Sequence, residues 1–148
     1  MGIISDFMDA DHARLDKLWI NFLQETQDPD KAFELFKQFQ GHILLHMKLE
    51  DDFLFQRLNE YLKIEDHTGP TALAQRDHQG LIKLLSLVEK TFLTKEIEKI
   101  TLTARHLHQA LQKHRQREKN LHYSVCDAFI SPQEWQIVLK KYYAVHNF

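Results

Sequence analysis

Four histidines and two glutamates recur in this chain at spacings that could gather them around bound cations. His12, His46, His78 and His114 each fall on an apolar helical stripe, and Glu50 and Glu118 each stand one helical turn beyond His46 and His114. Residues at i and i+4 share a helical face with Cβ atoms about 5–6 Å apart, so each His–Glu pair can reach one ion. Two such helices can bracket a pair of metals, as bundles with inward-projecting side chains do. Neutral imidazoles and carboxylates with no thiolate suit iron, and also manganese or zinc. If both glutamates bridge, each metal has two histidines and shared oxygens, and open positions remain for a small ligand. The competing reading is a metal-free histidine–glutamate salt-bridge layer, which burial of unpaired imidazoles and carboxylates disfavours energetically. No H-E-x-x-H motif is present, which argues against a mononuclear zinc hydrolase.

The elements that position these residues follow from periodicity and caps. From about Ser5 to Glu25, Met8, His12, Leu15, Trp19 and Phe22 or Leu23 recur at three and four. Asp28-Pro29 supplies an N-cap and N1 proline for a second helix to about Leu62, with Phe39, His42, Ile43, His46, Leu49, Glu50 and Phe53 on one face. The polar stretch Glu65-Asp66-His67-Thr68-Gly69-Pro70 reads as a linker. A third helix runs from about Thr71 to Phe92, with Ala74, His78, Leu81, Ile82 and Leu85 on one stripe. Thr94 can cap a fourth helix to about Tyr123, whose stripe is Leu107, Ala110, Leu111, His114, Glu118 and Leu121. Ser131-Pro132-Gln133-Glu134 forms a capping box opening a last helix, with Trp135, Val138, Leu139 and Tyr142 inward. Short connections favour antiparallel neighbours. The expected fold is therefore all-α, an up-down-up-down four-helix bundle with a short C-terminal fifth helix, as one domain over residues 1–148.

An internal repeat underlies the pattern. The step from His46 to His114 equals the step from Glu50 to Glu118, and the step from His12 to His78 is nearly the same. The first histidine of each pair follows an aspartate, in Asp11-His12 and Asp77-His78. The chain reads as one helix pair written twice.

Composition agrees with a packed helical protein. With 43% hydrophobic and 27% charged residues, disorder and low-complexity tracts are excluded, and four Gly and three Pro are too few for a fold of many short strands. A net charge of −2 exerts no pull toward nucleic acid or anionic lipid, so neither is expected as a partner. Cys126 is the lone cysteine, which excludes an internal disulfide and fits a reducing cytoplasm. The N-terminus shows no signal-peptide pattern, and no apolar run approaches the ~20 residues that span a bilayer.

These residues resemble the hemerythrin-like, or HHE cation-binding, domains. The likeness rests on Asp11-His12, an F-x-x-H-x-x-x-H-x-x-x-E-D run from Phe39 to Asp51, then Asp77-His78 and His114 with Glu118, and it covers about residues 5–125. It implies a four-helix bundle holding two iron ions, a di-iron centre that is oxo-bridged when oxidised and binds dioxygen or nitric oxide. Matched residue by residue, His12 and His46 correspond to ligands of one iron, His78 and His114 to ligands of the other, and Glu50 and Glu118 to bridges. Oxygen-carrying members have a fifth histidine where this chain has Ala74, and an Asp at the fifth position after the last histidine where this chain has Glu118 at the fourth. Four His and two Glu are closer to the iron-centre repair proteins made in response to nitric oxide, whose N-terminal cysteine-containing segment is not found here.

His42, one turn before His46, could be a fifth ligand or a hydrogen-bonding neighbour. Asp11 and Asp77 either orient ligands or face solvent. His106, His108 and His122, with Arg105, Lys113, Arg115, Arg117 and Lys119, read as a solvated basic face, and His67 and His146 as linker and tail residues. The expected function is binding of a small diatomic ligand for sensing, storage or scavenging. Reduction of nitric oxide or peroxide, iron donation in cluster repair, and a metal-stabilised structural bundle are the alternatives, with a redox partner implied by the first two.

Overall fold

A computed structural model describes residues 2–65, 68–119 and 123–143. His67, Leu121, His122 and His146 lie outside the described residues. Among those described every regular element is helical: α1 (Ile3–Gln24), α2 (Pro29–Leu49), α3 (Phe55–Leu62), α4 (Gly69–Thr91), α5 (Ile97–Lys119), α6 (Tyr123–Phe129) and α7 (Pro132–Tyr143).

Local chemistry sets the ends of these helices. Pro29 opens α2, and Asp28 caps it by accepting from the Lys31 backbone N–H at 3.3 Å. Gly2 precedes α1 and has no capping side chain, so Asp127 of α6 supplies one, accepting from the Ile4 N–H at 2.8 Å and from Ser5 Oγ at 2.5 Å. A Cβ on Gly2 would overlap the Asp127 carboxylate, so only glycine lets that group approach. Thr94 Oγ1 accepts from the Glu96 N–H at 3.1 Å, but Lys95 takes a left-handed conformation at φ 55° and α5 starts only at Ile97. The Ser131 cap forms, with Oγ accepting from the Glu134 N–H at 3.1 Å. The Glu134 carboxylate does not close the box. It accepts from Arg57 Nε at 2.9 Å and Nη2 at 3.2 Å, because a charge-assisted fork is stronger than a backbone N–H.

One expected helix needs correction. The second helix does not continue as one α-helix to Leu62: Glu50–Leu54 forms a π-turn, closed by the Phe55 N–H donating to the Glu50 carbonyl. One inserted residue in a turn re-aims the side chains beyond it, which apolar periodicity does not reveal. The fourth helix is described through Lys119 as α5 and the chain again from Tyr123 as α6, and residues 120–122 between them lie outside the described residues. Of the stripe residues, Phe22 rather than Leu23 turns inward, and Ile82 is 45% exposed beside the buried Leu81.

The core has two apolar clusters. One gathers Leu15, Trp19, Phe22, Phe36, Leu85 and Leu111 with their neighbours. The other gathers Ile4, Met8, Leu54, Phe55, Cys126 and Trp135. Along α1 the chain passes from the second cluster (Met8) to the first (Leu15), along α2 from the first (Ile43) to the second (Leu49), and along α4 from the second (Ala74) to the first (Leu81). His12, His46 and His78 sit at these changeovers, and His114 follows Leu111 of the first cluster in α5. A polar layer thus separates two apolar ones. No described helix is long and apolar enough to cross a membrane.

Phe36, fully buried and packed against Phe22 and Phe92 at 5.6 Å from each, anchors the first cluster. Phe36→Ala should cost about 3–5 kcal/mol through lost burial and the cavity left behind. Urea denaturation of metal-free protein, followed by circular dichroism, would measure the loss.

Candidate metal centre

The π-turn and two long helices, α4 and α5, bring one set of donors together. Glu50, His78, His114 and Glu118, all buried, each offer a ligand atom within 4.8 Å of the others. His78 Nε2 lies 3.0 Å from His114 Nε2 and 3.5 Å from Glu50 Oε1, while His114 Nε2 lies 2.7 Å from Glu118 Oε2. His46 Nε2 lies 3.5 Å from the same Glu50 Oε1. His12 stands at the side of this group, its ring centroid 4.9 Å from that of His46. A cavity of about 10 Å³ is lined by His12, His46, Glu50, His114 and Glu118.

Aspartates hold three of the imidazoles from behind. His46 Nδ1 donates to Asp11 Oδ2 at 2.6 Å, His78 Nδ1 to Asp51 Oδ1 at 2.7 Å, and His114 Nδ1 to Asp77 Oδ2 at 3.0 Å. An ionised carboxylate can only accept, so each ring carries its proton on Nδ1 and turns a bare Nε2 lone pair inward. Each aspartate reaches a histidine of another helix, so Asp11 and Asp77 do not serve the histidines that follow them in sequence. His42 is buried with its Nε2 at 2.8 Å from Asp11 Oδ1. It steadies the carboxylate that steadies His46.

Three buried atoms in this layer have no hydrogen-bond partner: His46 Nε2, Glu50 Oε1 and Glu118 Oε1. Orphaned buried acceptors are costly, and Nε2 lone pairs facing each other repel. A cation resolves both conflicts. Donors about 2.0–2.2 Å from one ion lie up to roughly 4.2 Å apart, and about 3 Å apart when they subtend a right angle. The 2.7–3.9 Å separations among His78, His114, Glu50 and Glu118 fall in that range. The residues present therefore fit a bound metal.

The electrostatics fit too. Burial lowers the pKa of His12 to about 2, with the charges of His46 and Arg115 adding to it, and that of His114 to about 4 despite its Asp77 bond. Burial lowers His46 as well. All three imidazoles are neutral at pH 7, the form that ligates metal. Burial acts to raise Asp11, yet hydrogen bonds from His42, His46 and Arg14 bring it well below the usual carboxylate range. For Asp77 burial is similarly outweighed by bonds from His114 and Arg117. Glu118 goes the other way, raised well above its ordinary value by burial.

Several residues of the layer escape a reading of the sequence. Asp51 enters it only as the end of a motif. The Tyr123 hydroxyl donates to Glu50 Oε2 at 2.7 Å, and Tyr143 of α7 donates to Asp11 Oδ2 at 3.1 Å. Tyr123 has a signal: it stands as far beyond Phe55 as Glu118 stands beyond Glu50, which is the repeat spacing. Tyr143 has none, because no repeat position marks it. The basic face is also more engaged than expected. His108 stacks on Trp19 with centroids 5.5 Å apart, and Arg115 and Arg117 pair with Asp16 and Asp77 at 2.6 Å each. Beside the centre an apolar cleft of about 320 Å³, lined by Pro70, Leu73 and Ala74, ends on His114 and Glu118.

The pH response has a definite sign. Burial favours the protonated form of Glu118 and a bound cation favours the ionised one, whereas the neutral imidazoles release no proton at pH 7. Cation binding should therefore release protons, and affinity should fall on acidification. Calorimetry in two buffers of different ionisation enthalpy is expected to detect that release in the native protein and less of it in Glu118→Gln.

No curated protein and no solved structure matches the chain. The family profile of the hemerythrin HHE cation-binding domain does, over residues 3–126, a span that contains His12, His46, Glu50, His78, His114 and Glu118. With that match covering most of its length and the buried His/Glu cluster lying inside it, this chain belongs to the hemerythrin HHE cation-binding domain family.

Proposed function

We propose that this protein is a cytoplasmic di-iron protein that binds a small diatomic ligand, dioxygen or nitric oxide, for sensing, storage or scavenging. The observation that carries the reading is the convergence of inward Nε2 lone pairs and unpartnered carboxylate oxygens in one buried layer. His12 and His46 would hold one iron, His78 and His114 the other, and Glu50 and Glu118 would span the two. The alternation of the helices between the two apolar clusters supports an up-down-up-down four-helix arrangement for this single domain. When bound, the metal pair supplies open coordination positions and reversible electron exchange.

The protein residues have separate tasks. Asp11, Asp51 and Asp77 orient imidazoles, and His42 with Tyr143 and Arg14 fixes Asp11. Tyr123 keeps a proton directed at Glu50 Oε2. Leu81, Leu111, Ile43 and Met47 wall the cavity and exclude water. A second reading, reduction of nitric oxide or peroxide, is favoured by the cleft that ends on His114 and Glu118 where Ala74 leaves room. Turnover of either compound by reduced protein, against a protein-free control, separates it from binding alone.

Protein expressed with iron should contain two ions per chain and show near-ultraviolet bands under air. Glu50→Ala or Glu118→Ala should each lose much of the metal, and one ion per chain surviving His78→Ala with His114→Ala would refute the dinuclear reading. His42→Ala is expected to keep both ions, since its Nε2 is committed to Asp11. Removal of metal by chelation should lower the thermal midpoint, because native-state binding adds about 2.7 kcal/mol at a hundredfold excess over Kd.

A further inference from the structure

The two halves of the repeat differ where they face the centre. In the His78–His114 half both imidazoles are held by carboxylates, Asp51 at 2.7 Å and Asp77 at 3.0 Å, and both are buried. Their Nε2 atoms already stand within 4.8 Å of Glu50 and Glu118 oxygens. In the other half Asp11 holds His46, but His12 is half-buried and makes no hydrogen bond with a described residue. The aromatic positions of the repeat do correspond. Phe55 stacks on the His78 ring at 5.7 Å, and its repeat counterpart Tyr123 lies 6.0 Å from the His12 ring. The carboxylate position does not, since the repeat counterpart of Asp51 is Lys119.

From this asymmetry we infer that the two metal positions are unequal: a first divalent cation is held tightly by Glu50, His78, His114 and Glu118, and a second, weaker one is completed by His12 and His46. The inference rests on the dinuclear reading above. Donors already oriented lose little freedom on binding, and carboxylates behind ligating histidines are worth about 10–100-fold in metal affinity. His12 has no such partner among the described residues, so its ring is less firmly oriented before the second ion arrives. That ion also shares carboxylates already neutralised and meets the charge of the first. The His12 position is thus the one that fills and empties with metal supply, and it determines when the pair is complete.

Cobalt(II), titrated anaerobically into metal-free protein by calorimetry and visible absorption, tests the order. The native chain should bind in two resolved steps. His12→Ala should keep the tight step and lose the weak one, whereas His78→Ala should lose the tight step. Asp51→Asn, which preserves shape, should weaken the tight step by roughly 10–100-fold, with helical content checked by circular dichroism. Two equal steps, a tight step surviving His78→Ala, or a tight step unmoved by Asp51→Asn would overturn the inequality while leaving the dinuclear reading intact. No cobalt bound by the native chain would overturn both.

Discussion

A layer of imidazoles and carboxylates buried between two apolar clusters is the constraint on which the rest of this structure depends. Removing such groups from water is costly unless every lone pair and proton finds a partner. The protein answers most of that demand with aspartates behind the rings and a tyrosine hydroxyl on Glu50. What it leaves unanswered is confined to inward-facing atoms, His46 Nε2, Glu50 Oε1 and Glu118 Oε1. That selectivity separates a cation site from a salt-bridge layer. A salt-bridge layer would satisfy itself, whereas here the satisfied atoms are the outer ones and the unsatisfied ones face each other.

The supporting network also ties the helices together. Asp11 of α1 serves His46 of α2, Asp77 of α4 serves His114 of α5, and Asp51 of the π-turn serves His78 of α4. Orientation of the donors and packing of the helices are therefore one property, and neither can shift alone. Tyr143 extends this to α7, beyond the span of the family match, by donating to the same Asp11 that holds His42 and His46. The C-terminal helix is more than a cover for apolar surface.

Much of the fold and of the candidate donor set was legible in the chain. Four histidines at apolar helical positions, two glutamates one turn on and a helix pair written twice are properties of spacing. Spacing survives folding because a helix maps i and i+4 onto one face whatever surrounds it. The caps at Asp28 and Ser131 were readable for the same reason, being bonds between residues close in sequence.

Other features were decided only by the packed structure. The π-turn at Glu50, the pairing of each aspartate with a histidine of another helix, the commitment of His42 to Asp11, and the Tyr123 and Tyr143 hydroxyls all join residues distant in sequence or depend on one residue inserted into a turn. Periodicity reports which face a side chain occupies but not which partner stands opposite, so both aspartate roles remained open until the helices were packed. Sequence by itself determined which residues could supply donors to a metal, because that follows from local helical geometry. The tertiary structure alone decided which atoms turn inward, because hydrogen bonds across helices select the tautomer and orientation of each ring.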